Sequence, residues 1–170
     1  GLCNKTGGFN NFFGRYAGYN NTTGSSNNFF GTCAGYYNLT SEDNNFFGKF
    51  AGRDNTTGTR NNFFGVAAGR GNTIGSNNNY FGAFAGKIST GSYNNFFGLT
   101  AGCDNTTGCN NNFSGTNAGQ NNTTGSYSNY FGRNAGIANT NGSFNNFLGA
   151  EAGKYVNACD NVAIGNSALR

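Results

Sequence analysis

Histidine, proline, methionine and tryptophan are all missing from this chain. Without histidine it lacks both the usual general base near neutral pH and the commonest metal ligand. Charge is scarce as well: Lys, Arg, Asp and Glu make up 9% of residues, well below the usual quarter. The net charge of +4 comes from scattered residues, so no basic run marks a nucleic-acid or membrane surface. No stretch approaches the roughly 20 apolar residues of a membrane-spanning helix, and none reads as a signal peptide. The acids Glu42, Asp43, Asp54, Asp104, Glu151 and Asp160 are few. Asp54, Asp104 and Asp160 fall in similar turns but well apart. The Gly-x-x-x-x-Gly spacings never continue as Gly-Lys-Ser/Thr, and the Asp of calcium-binding nonapeptide repeats is missing. The expectation is a chain that is not an enzyme and carries no metal or cofactor.

What is present is aromatic and small. The chain holds 30 Gly, 18 Phe and 9 Tyr together with many Asn. Disordered chains are poor in aromatic residues, and 16% here argues for a packed core.

Those residues repeat. The pattern Asn-Asn-Phe-Phe-Gly-x-x-Ala-Gly-x-x-Asn-Thr-Thr-Gly-x-x runs through the chain, anchored at Gly14, Gly31, Gly48, Gly65, Gly82, Gly98, Gly115, Gly132, Gly149 and Gly165. Spacings are 17 residues, except 16 from Gly82 to Gly98 and from Gly149 to Gly165. Ala follows every anchor by three positions, from Ala17 to Ala168. No helical stripe exists, and glycine at this frequency would cost a helix about 1 kcal/mol each time. Asn-Thr-Thr-Gly and Ala-Gly are turn signals. Each repeat reads as two short strands and two turns, too small to bury an apolar face without stacking on its neighbours. The predicted fold is all-β: one parallel β-solenoid domain over residues 1–170, ten coils about 4.8 Å apart, roughly 50 Å long.

Counting alternate residues from the conserved Ala sets the expected facing. It turns inward Phe13, Phe30, Phe47, Phe64, Phe81, Phe97, Ser114, Phe131, Leu148 and Ile164. It turns outward Phe12, Phe29, Phe46, Phe63, Tyr80, Phe96, Phe113, Tyr130 and Phe147, where the tyrosines suit a wetter site. A bulge in each strand would instead bring both rows inside. An outward aromatic stripe of several hundred Å² is rare on a soluble monomer, so the outer row is the expected assembly surface. The paired Asn residues, in register from coil to coil, are expected to form amide ladders.

Five cysteines are an odd number. Cys103 and Cys109 flank one turn and would bridge within a coil if their Cα atoms approach within about 7 Å. Cys3 and Cys159 lie near opposite ends, which allows a bond only between subunits; Cys33 completes the set. The alternative is that the terminal thiols stay free or buried. Ten Asn-x-Ser/Thr triplets occur, and those at Asn21, Asn55, Asn105 and Asn122 would line one exposed edge as glycosylation sites. A composition this rich in Asn and Thr also generates such triplets by chance.

The segment from Asn161 to Leu169, Asn-Val-Ala-Ile-Gly-Asn-Ser-Ala-Leu, resembles the head repeat of trimeric autotransporter adhesins. The pattern from Asn20 to Gly35 is similar to longer repeats of bacterial surface proteins and phage tail fibres. The resemblance covers essentially the whole chain. It implies a left-handed parallel β-roll, often trimeric, in an extracellular stalk or adhesive head. The adhesin repeat is shorter, however, and has Ile or Val where Phe dominates here.

The expected function is a structural subunit or segment of an extracellular fibre or surface filament. Its partner would be itself, joined through open coil ends and the aromatic row. Gly1 in place of an initiating Met suggests a piece of a longer protein, and Gly1 placed after Arg170 would continue the repeat. Two alternatives stand beside this. An adhesin head or tail-fibre segment would bind cell-surface glycans through Tyr19, Tyr36, Tyr37 and Tyr155. An ice-binding solenoid would use the pairs Thr22-Thr23, Thr56-Thr57, Thr106-Thr107 and Thr123-Thr124.

Overall fold

A computed structural model describes all 170 residues and contains no helix. Ten three-residue strands follow one another at one strand per coil: β1 (Asn11–Phe13), β2 (Asn28–Phe30), β3 (Asn45–Phe47), β4 (Asn62–Phe64), β5 (Asn79–Phe81), β6 (Asn95–Phe97), β7 (Asn112–Ser114), β8 (Asn129–Phe131), β9 (Asn146–Leu148) and β10 (Val162–Ile164). They form one parallel sheet in chain order, each residue paired with its equivalent one coil on. The chain is a β-solenoid of tandem repeats.

Each strand stops at its anchor glycine, whose φ lies between 120° and 145°. That region is open only to a residue without Cβ. The stop is enforced between coils too: a Cβ on Gly65 would lie 2.5 Å from the Gly82 carbonyl oxygen. Two residues further on, positions such as Tyr16, Phe50 and Ala67 adopt φ of 55–62°. These left-handed residues bend the chain into the next side of the coil.

The second predicted strand is not one. Of 113 backbone hydrogen bonds only 18 lie within the strand ladder, and the other 95 join turns and loops. The Asn-Thr-Thr-Gly side bonds upward residue by residue, as in Thr56 N to Thr73 O at 2.9 Å, but through bends. Left-handed residues such as Arg60 (φ 58°) and Asn77 (φ 59°) close its far corner and prevent an extended run.

The predicted facing is reversed. The row Phe12, Phe29, Phe46, Phe63, Tyr80, Phe96, Phe113, Tyr130, Phe147 is the core, with the members from Phe29 to Phe147 no more than 1% exposed. Its rings form an unbroken stack with centroids 4.5–5.1 Å apart and planes within 14°. The row expected inside is outside: Phe13 is 75% exposed, Phe97 45%, Phe131 44%, Leu148 52% and Ile164 70%, while Phe30 and Phe81 are also exposed and Phe47 and Phe64 half-buried. Counting by twos is valid only along extended backbone. Between Phe13 and Ala17 the chain passes through Gly14 (φ 135°) and Tyr16 (φ 61°), which reset the parity. Nor does a bulge bring both rows inside.

Conserved Ala residues from Ala34 to Ala152, all 0% exposed, pack against the inner rings. The glycine after each Ala lies flat on a ring: a Cβ on Gly69 would be 2.4 Å from Phe63, at φ 55°. Two polar columns complete the interior. In one, Asn38, Asn55 and Asn72 each donate Nδ2 to the Oδ1 of the Asn one coil earlier, at 2.8–3.1 Å. In the other, Asn61 Nδ2 donates to Gly75 O at 2.8 Å while Asn61 Oδ1 accepts from Asn78 N at 3.0 Å. Buried amides so paired avoid the penalty of about 1–3 kcal/mol for an unsatisfied polar group.

Candidate interaction face

The outward side of the sheet presents two parallel columns. Nearest the buried ring is an amide ladder from Asn11 to Asn146, each Nδ2 donating to the next Oδ1 at 2.7–2.8 Å. Beside it runs the exposed aromatic column. Phe13, Phe30, Phe47, Phe64, Phe81 and Phe97 stack with centroids 4.7–6.1 Å apart. Ser114 breaks it, after which Phe131, Leu148 and Ile164 resume the apolar surface. Over β1 to β9 neither column holds a charged residue.

The inner tyrosines are not at an interface. Tyr80 and Tyr130 are fully buried, and each meets a serine where other coils have Asn. Tyr80 donates to Ser89 Oγ at 2.8 Å; the shorter serine makes room for the hydroxyl. Tyr130 faces Ser128 and Asn145 without a well-formed hydrogen bond. Burial pushes the Tyr80 hydroxyl well above its ordinary range and that of Tyr130 to about 12.

The proposed glycosylation edge is inside. Asn21, Asn55, Asn105 and Asn122 are all 0% exposed and occupied in the inner ladder, so the folded chain offers none of them to a transferase. The turn geometry that suggested exposure instead directs the Asn amide back to the Gly carbonyl three residues on.

All five thiols are free, so no Cys103–Cys109 bridge exists. Cys103 is buried, and burial with Asp104 beside it raises its thiol to about 11. Cys109 replaces a ladder serine, its sulfur accepting from Ser92 N at 3.3 Å. Cys159 does the same for Ser143 N. Cys3 instead donates its amide to Tyr19 O and shares its coil position with Asn20. Cys3 and Cys159 thus occupy different sides of the coil, and stacking copies in register would not bring them together.

Of the tyrosines considered for glycans, Tyr19 and Tyr36 stack at 5.1 Å. Tyr16 packs edge-on to both, and Tyr37 edge-on to Tyr36. Tyr155 lies apart, near the other end, 60% exposed. In the threonine pairs the first hydroxyl is engaged, as in Thr56 to Thr73 O at 2.8 Å, leaving only the second column exposed. No three acids and cysteines converge on a metal-sized site. The coil period also aligns Arg53, Arg70 and Lys87, cations scattered in sequence, in one column; Asp54 pairs with Arg53 at 2.6 Å.

Comparison with protein families, characterised proteins and solved structures finds no match. No helix is long and apolar enough to cross a membrane.

Proposed function

We propose that this chain is a structural segment of an extracellular fibre or surface filament, assembling with copies of itself through the outer Phe13–Phe131 face. The observation that carries this reading is the charge-free stripe of stacked rings beside a satisfied amide ladder. Such a stripe carries no charge with which to form an ion pair. A second solenoid repeats its side chains at the same spacing of about 4.8 Å and matches it row for row. The chain does no chemistry on a substrate in this reading; its product is length and stiffness.

Sedimentation velocity and electron microscopy test it. Wild-type chain is expected as laterally paired or bundled rods, and Phe47→Lys/Phe64→Lys/Phe81→Lys as single rods of the same circular dichroism. Single wild-type rods at every concentration would remove the reading. A second reading, an adhesive surface for glycans, is favoured by the cluster Tyr16–Tyr19–Tyr36–Tyr37, in which Tyr16 and Tyr37 are exposed and Tyr19 and Tyr36 half-buried. It predicts glycan-array signals that Tyr16→Ala/Tyr37→Ala removes.

A further inference from the structure

The break in the outer aromatic column has a definite shape. Where the six preceding coils carry Phe, β7 carries Ser114, and the missing side chain leaves a cavity of about 240 Å³. It is lined by Asn95, Phe97, Asn112, Phe113, Ser114 and Phe131. The walls are aromatic: Phe97 stands one coil before the gap and Phe131 one coil after, both more than 40% exposed. The floor is the β7 strand itself at Phe113–Ser114, with the Phe113 ring turned away into the core.

Two coil steps separate the walls by roughly 10 Å. A flat ring placed midway lies about 5 Å from each, within the range of roughly 4.5–7 Å at which aromatic rings stack favourably. The intact column shows the same spacing, with Phe47 to Phe64 and Phe64 to Phe81 at 4.7 Å. The slot therefore has the thickness of one ring and is too narrow for two. At its inner end is the Ser114 hydroxyl, a donor and acceptor. Along one side run Asn95 and Asn112, already joined by Nδ2 to Oδ1 at 2.7 Å. No charged residue lines it.

We propose that this slot is a binding site for one uncharged monocyclic phenol. The ring completes the stack between Phe97 and Phe131, and its hydroxyl reaches Ser114. The slot lies within the proposed assembly face, so a phenol and a second copy compete for it, but the site itself needs only one solenoid. With a single ring buried and one polar contact, affinity falls in the millimolar range.

The test is a titration of the isotopically labelled chain with 4-methylphenol, read by amide chemical shifts. The expected result is a saturable shift confined to Ser114, Gly115 and their neighbours in β6 and β8. Ser114→Phe, which merely continues the column of the earlier coils, is expected to abolish it. Phe64→Ser opens an equivalent slot in β4 and is expected to add a second saturable set there. The proposal is overturned if no shift appears, or if the shift survives Ser114→Phe unchanged. A shift that appears with protein concentration alone reports assembly of the outer face, so the phenol titration is read at a concentration where the rods are single.

Discussion

At the scale of single residues, the chain places its few departures from the repeat in compensating pairs. Tyr80 enters the ring stack where Ser89 shortens the amide column, and Tyr130 enters where Ser128 does. Both phenols hold their protons more tightly folded than unfolded, with Tyr130 raised to about 12 from an ordinary 10. A group of that kind stabilises fully below the unfolded value, and the contribution fades as pH climbs from about 10 to 12. For Tyr130 the loss amounts to about 3 kcal/mol at completion. The phenolate absorbance of Tyr80 and Tyr130 is expected to appear only as circular dichroism collapses. Tyr130→Phe removes a hydroxyl without a well-formed bond and is expected to keep neutral stability while shifting the alkaline midpoint upward. Ionisation of Tyr80 and Tyr130 over an intact solenoid would contradict the burial.

At the scale of the element, three residues do three different things. In β4, Asn62 joins the outer amide ladder, Phe63 fills the core and Phe64 lies on the outer face. Phe63→Ala should therefore cost about 3–5 kcal/mol, as for a buried ring, while Phe64→Ala should cost under about 1 kcal/mol. Urea denaturation of the two variants reads the difference, and equal losses would contradict the facing. This is the point at which the sequence misleads. Coil count, parallel stacking and amide ladders were legible because identical residues recur at fixed spacing. Facing was not, because Gly65 and left-handed Ala67 (φ 55°) lie between Phe64 and Ala68, and neither turn is written in the alternation of apolar residues. Burial of Asn55 was hidden for a similar reason: asparagine reads as a surface residue until its amide is seen closing the turn onto Gly58 O at 2.9 Å. The aromatic gap at Ser114 was visible as an exception in the repeat but, with the row assigned inward, had no meaning as a surface slot.

For the whole molecule, order is one-dimensional. Each strand touches only the strand before and the strand after, so stability is a sum of coil and nearest-neighbour terms. Residues 1–170 on their own should exchange amide hydrogens as a gradient. Amides in β4 to β7 are expected to exchange most slowly, and those in β1 and β10, with a strand neighbour on one side only, orders of magnitude faster. Mass spectrometry of peptides from each coil measures this. Uniform protection along the rod would mean that the terminal coils gain a neighbour from another copy.

The short coil from Gly82 to Gly98 shows where the repeat gives way. It drops one residue from the Thr-Thr corner, yet β5 and β6 pair in the same register as every other neighbour, and Thr90 still donates to Thr106 O at 2.8 Å. Strand and glycine stop thus behave as a fixed cassette, and the outer corner as slack. Inheritance can then act on this protein by copying or deleting whole cassettes. Each such event changes the reach of the rod by one step of about 4.8 Å and leaves the kinds of contact in the core as they were.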